Sequence, residues 1–176
     1  MSICVPSYVK VGVGRYTASS ELFLGYIGRR ERMGVIESAK KLSDKCDSLT
    51  KSILRQTSLA HVTNPLNYAW EYHESYLSQY SDLGAETLLL GMNPGPYGMA
   101  QCGVPFGATE IARDFLNITG NFHDPQGRHP KRPIEGLDFE RQEISGTRLW
   151  GLLRDIWKTP EAVSYTHLTL PTTMLV

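Results

Sequence analysis

Hydrophobic residues recur with a helical period in three stretches of the chain and run unbroken in a fourth. From Val35 onward, Ala39, Leu42, Cys46, Leu49 and Ile53 are spaced alternately by three and four, with Lys and Asp between them. That pattern predicts an amphipathic helix with this stripe turned inward. Asn64-Pro65 breaks the chain, and a second helix fits about 70–80, with His73, Tyr76, Leu77 and Tyr80 along one side. Further on, Ser145 suits a helix N-cap, and Leu149, Leu152, Leu153 and Ile156 mark an inward face with Trp150 and Trp157 alongside. Thr87-Leu88-Leu89-Leu90 is short and apolar without interruption, as a strand buried on both faces is.

The segments between these elements carry other signals. Thr109 is placed to cap a helix over about 110–117, and residues 119–144, rich in Gly, Pro and charge, read as a long loop. Residues 1–34 show no sustained period and read as a poorly ordered N-terminal segment in which Arg29, Arg30 and Arg32 form a solvated cluster. Gly12-Val13-Gly14 opens like a dinucleotide fingerprint, but Thr17 stands where its third glycine belongs. The resulting division is 1–34, a domain over 35–163, and a tail over 164–176.

The sharpest feature follows the apolar run. Gly91 to Tyr97 hold two glycines and two prolines, a density that neither a helix nor a ladder strand tolerates. The chain must turn where the strand ends, and in open α/β sheets ligands bind beyond the carboxyl ends of strands. Asn93 sits in that turn and offers both a donor and an acceptor. A second tight bend, Gly103-Val104-Pro105-Phe106-Gly107, presents Phe106 either as a stacking face or as an ordinary core aromatic. His129, Lys131 and Arg132 in the long loop are candidates for phosphate contact, with a plain solvated loop as the alternative.

Composition narrows the classes. At 176 residues and 41% hydrophobic, the chain can bury one core. Eighteen basic and eighteen acidic residues cancel, so any attraction to nucleic acid must come from a local face. Cys4, Cys46 and Cys102 are odd in number and lack metal-ligand spacing, which fits a reducing compartment. No run approaches the ~20 apolar residues of a membrane span, and residues 1–14 do not read as a signal peptide, so an intracellular chain without a membrane partner is expected. His73-Glu74 has Leu77 where a zincin needs its second histidine, and neither GxxxxGK[ST] nor GxSxG occurs.

The stretch Gly91-Met92-Asn93-Pro94-Gly95-Pro96-Tyr97-Gly98-Met99-Ala100-Gln101, followed by the Phe106 bend, resembles the first motif of the single-strand-selective monofunctional uracil-DNA glycosylases. Asn64 to Glu71, His129 to Pro133 and Ser145 to Gly151 are similar to that family as well, and the resemblance runs from about Leu59 to Val163. It implies the N-terminal portion of a three-layer α/β fold with a central, mostly parallel sheet, the tail lying outside the resemblance.

The resemblance also implies a chemistry. A glycosylase acts on a base flipped from the stack into a pocket. Asn93 would be catalytic, orienting a water at the sugar, since an amide has no basic form at neutral pH. Phe106 would stack on the base, backbone N–H groups at Met92 and Gly95 would bond an exocyclic oxygen, and Tyr97 and Met99 would wall the pocket. His129, Lys131 and Arg132 would contact DNA. The motif holds no lysine, which fits direct hydrolysis, and no metal or cofactor is implied. The expected partner is single- and double-stranded DNA containing uracil, the expected state a monomer and the expected location the nucleus. In the family a His-Pro-Ser-Pro motif supports the leaving base and a later asparagine reads the uracil edge. Neither motif occurs here, so a catalytically impaired chain that only binds DNA is the alternative.

Overall fold

The computed structural model describes residues 34–81, 87–91, 93–125, 129–163, 166–169 and 174–175. Met92, Cys4 and all of residues 1–33 lie outside the described residues, as do the side chains of Leu88 and Leu90 on which the doubly buried strand depends.

Most described residues are helical. Helix α1 spans Val35–Gln56, a two-residue strand β1 spans Val62–Thr63, and a short helix α2 covers Pro65–Tyr68. Asn64 caps α2 by accepting from the Leu66 N–H (3.1 Å), and Pro65 at the first helical position costs no hydrogen bond. Helix α3 follows at Trp70–Tyr80, matching the helix expected over 70–80. His73, Tyr76, Leu77 and Tyr80 are all buried, so that face was read correctly. His73 Nδ1 lies 2.8 Å from the Gly103 carbonyl, a packing role for this histidine.

Strand β2 spans Thr87–Leu90, where the apolar run predicted it. After the turn come helix α4 (Met99–Cys102), helix α5 (Thr109–Asp114), a 3-10 turn at Gly136–Asp138, helix α6 (Ile144–Trp157), helix α7 (Pro160–Val163) and strands β3 (Thr166–Thr169) and β4 (Met174–Leu175). β2 pairs in parallel with β3, Leu89 opposite Leu168, and β1 pairs antiparallel with β4. Among the described residues the strands form only these two-stranded ladders, so the large central sheet is not seen there. The neighbour of β2 comes from the tail 164–176, a segment read as lying outside the domain.

The core gathers α3, the Val104 bend, α5 and α6: Tyr72, Tyr76, Leu77, Val104, Ala112, Leu116, Trp150 and Leu153 belong to one cluster. Three sequence expectations need correction. On α1, Leu42 and Leu49 are exposed (44% and 47%), while Ser43 is buried. The helix docks through Ile36 and Ala39, packed on the main core, and through polar contacts, Asn64 Nδ2 donating to the Ser43 carbonyl (3.0 Å) and to Asp47 Oδ1 (2.9 Å). On α6, Trp150 and Leu153 are buried, but Leu152 and Ile156 are 56% and 57% exposed. Neither predicted cap operates. Thr109 is the first residue of α5 and donates instead to the Phe139 carbonyl (2.7 Å), and α6 starts after Glu143, not at Ser145.

Candidate functional site

The turn that leads into α4 is closed by its own backbone. The Gly95 carbonyl accepts from the N–H groups of Gly98 (3.2 Å) and Ala100 (3.1 Å), turning the chain directly into α4. Pro94 is buried beneath, and Asn93 is exposed above it with Nδ2 donating to the Pro94 carbonyl (3.2 Å). Tyr68 fixes the far end by donating from its hydroxyl to the Ala100 carbonyl (2.6 Å). Burial holds the Tyr68 phenol well above its ordinary range, so it remains a donor at any physiological pH.

Gln101 ties this loop to the next one. Its side chain is buried, Nε2 donating to the carbonyls of Pro96 and Pro133 (both 2.9 Å) while Oε1 accepts from the Glu135 N–H (2.9 Å). All three of these bonds are satisfied at once. They bring the His129–Pro133 segment against the Asn93 turn.

Phe106 stands in the bend that closes the site from the other side. It has φ +52°, a left-handed conformation that is costly for a bulky residue, and such strain persists only where the surroundings hold it. The restraint is visible. Gly107 packs against Cys102 and Val104, Gly146 of α6 lies on the carbonyls of Phe106 and Gly107, and Trp150 Nε1 donates to the Pro105 carbonyl (3.4 Å). Half-buried, Phe106 packs against both Met99 with Leu66 and the main core. Met99 is fully buried behind it.

Glu143 supports the Asn93 turn from below. A Cβ on Gly95 would lie 2.6 Å from Glu143 Oε2, so only glycine allows that carboxylate so close, and Ser145 Oγ donates to Glu143 Oε1 (3.0 Å). The basic segment is arranged less simply than its sequence suggests. His129 Nδ1 accepts from the Lys131 N–H (3.0 Å) and its ring meets the edge of His61 at 5.0 Å, so His129 shapes the turn. Lys131 and Arg132 are exposed. Arg132 Nη1 donates to the Tyr97 hydroxyl (3.0 Å), and Tyr97 also stacks on Phe139 (6.0 Å, 5° between planes) beneath the Arg141 guanidinium (3.9 Å).

The structure thus brings Asn93, Gly95, Tyr97, Met99, Phe106 and Arg132 to one region, with His129 and Lys131 at its edge. Sequence reasoning missed Gln101, Glu143 and Arg141. Their roles depend on partners more than thirty residues distant, and only Gln101, inside the glycine- and proline-rich stretch, stood where a search could have found it. Cys102 is wholly buried and its thiol is pushed up to about 12 by desolvation, so it is no nucleophile. Among the described residues no group of three His, Cys, Asp or Glu side chains could hold a metal ion, and no helix is long and apolar enough to cross a membrane.

This geometry coincides with a clear sequence relationship. A single-strand selective monofunctional uracil DNA glycosylase from Bos taurus is 43% identical over 128 residues, 73% of this chain and 46% of the relative. Counterparts from Rattus norvegicus and Mus musculus are 48% and 47% identical over 100 residues, 57% of this chain and 36% of each relative. Over part of its length, this chain is similar to the single-strand-selective monofunctional uracil-DNA glycosylases. It spans less than half the length of these glycosylases. No protein-family model matches it.

Proposed function

We propose that the chain carries the water-positioning and base-stacking part of a base-excision-repair glycosylase. It would hydrolyse the N-glycosidic bond of uracil and 5-substituted uracils in single- and double-stranded DNA. The observation that carries this is an exposed Asn93 on a loop closed by the Gly95 carbonyl, and a conformationally strained Phe106 packed on Met99 of the helix into which that loop runs. The 43–48% identity to uracil-DNA glycosylases supports it.

In this reading the flipped uracil stacks on Phe106 beside Tyr97, with Met99 backing the Phe106 ring from the buried side, and the Gly95 backbone N–H bonds its exocyclic oxygen. Met92 would add a second N–H. Asn93 holds a water through its amide oxygen on the sugar side. The bond to the base breaks through an oxocarbenium-like state, by analogy with glycoside hydrolysis, its electron pair leaving with uracil, and the water adds at the anomeric carbon and loses the proton that neutralises the departing base. Lys131 and Arg132 would hold the strand by its phosphates, with His129 shaping their turn. The β2–β3 parallel pair would belong to a larger three-layer α/β sheet, and a monomer in the nucleus completes the proposal.

A second reading, binding without turnover, is favoured by one observation: His-Pro-Ser-Pro, which supports the leaving base in the family this chain resembles, does not occur in it. One assay separates the two. Release of uracil from a single-stranded oligonucleotide by the purified chain supports hydrolysis. Binding of that strand without release supports the second reading, and failure to bind any strand contradicts both.

A further inference from the structure

We infer that Arg132 and Arg141, gathered on the ring of Tyr97, form a binding site for the phosphodiester backbone of single-stranded nucleic acid beside the Asn93 loop. Three contacts build it. The Arg141 guanidinium lies 3.9 Å over the Tyr97 ring, Arg132 Nη1 donates to the Tyr97 hydroxyl at 3.0 Å, and Phe139 lies parallel to the same ring. Tyr97 therefore holds one cation by its face and another by its hydroxyl.

The two arginines remain equipped to bind an anion. A guanidinium has five N–H donors in a fixed fork that matches phosphate oxygens. Arg132 uses one of them on Tyr97, and Arg141, 3.9 Å over the Tyr97 ring, spends none on a hydrogen bond among the described residues. Both residues are exposed, and among the described residues neither forms an ion pair. Arg113 differs, with its guanidinium bound to Asp114 and to the Leu137 carbonyl. Glu143, whose carboxylate lies beside Gly95, accepts from Ser145 Oγ (3.0 Å).

Position selects the ligand. Tyr97 belongs to the turn that carries Asn93, and Gln101 clamps the Arg132 segment to that turn through Pro96 and Pro133. A charge pair at a fixed offset from Asn93 suits a strand whose base enters the site while its phosphates run alongside. Cation–π contact also holds Arg141 in place before binding, so less side-chain freedom is lost when the phosphate arrives. This deepens the glycosylase reading and rests on it.

The test is fluorescence anisotropy of a labelled, uracil-free oligothymidine bound to the chain over a series of salt concentrations. Each phosphate contact on a single strand contributes about 0.7 to the slope of log K against log salt. Arg132→Gln and Arg141→Gln should each lower that slope by about 0.7, and the double variant by the sum. Arg141→Lys should keep most of it, and Arg154→Gln should leave it unchanged. The same losses are expected on a uracil-containing strand, because phosphate contacts carry no base information. An unchanged slope in the double variant, with wild-type circular dichroism and intact binding, overturns the inference and leaves the glycosylase reading standing. A wild-type chain that binds no strand even at low salt overturns both.

Discussion

Pro94 is buried while Asn93, one residue earlier, is exposed, so a single peptide unit divides a packed anchor from an amide side chain open to solvent. Phe106 shows the same economy: its left-handed backbone is clamped by Gly146 and Trp150, and its ring is only half-buried. We expect Phe106→Ala to weaken capture of a uracil-containing strand by about 1–3 kcal/mol, the scale of one base–aromatic stack. Titration of a cleavage-resistant uracil analogue in single-stranded DNA measures this, and unchanged affinity in a folded variant would return Phe106 to a plain core role. Cys102 gives a second residue-level test. Its folded thiol ionises only near pH 12, against an ordinary value of 9.0, so burial contributes stability that is intact below about pH 9 and declines as pH rises toward 12. In the native chain at pH 8, peptide mapping after treatment with a thiol reagent should find Cys102 unmodified, and modified once the chain is denatured. Rapid labelling of Cys102 in the native chain would contradict its placement.

At the scale of elements, the periodic signals located helices well and faces less well. Helix α3 was legible because four of its residues, His73, Tyr76, Leu77 and Tyr80, face one continuous core. Helices α1 and α6 have partners on only part of their apolar surface. A stripe read from spacing shows which residues share a side, and it cannot show how far the neighbour extends. Leu42 and Leu49 thus remain exposed while Ser43 is covered, because Asn64, a residue twenty-one positions away, bonds the Ser43 carbonyl. Adjacent leucines on α6 make the distinction measurable. Leu153→Ala should cost about 2–5 kcal/mol as a core truncation, and Leu152→Ala less than about 0.5 kcal/mol as a surface change. Urea midpoints of the two variants decide it, and equal losses would place Leu152 in a packed environment. The turn at Gly95 to Gly98 was legible, since its glycines and prolines permit little else. Its braces were not, because Gln101, Glu143 and Arg141 act through residues brought close only by folding.

Taken whole, the described residues form a mostly helical body around the Asn93 and Phe106 bends, and they account for a stretch shared with proteins more than twice as long. Its charge is balanced overall, so a hold on DNA has to come from a local basic face, for which we propose the group around Tyr97. With no His-Pro-Ser-Pro motif to support the departing base, we expect slow turnover, since removing one electrostatic stabiliser commonly costs about 10²–10³ in rate. The most direct measurement compares uracil release from a single-stranded oligonucleotide by the purified chain and by Asn93→Ala, with affinity for the same strand followed in parallel. Because water positioning acts in the transition state, release should be slow in the wild type and lower by a further ~10²-fold or more in the variant, at nearly equal affinity. Equal release rates from the two proteins, or a loss of release that merely follows a loss of binding, would contradict the role given to Asn93.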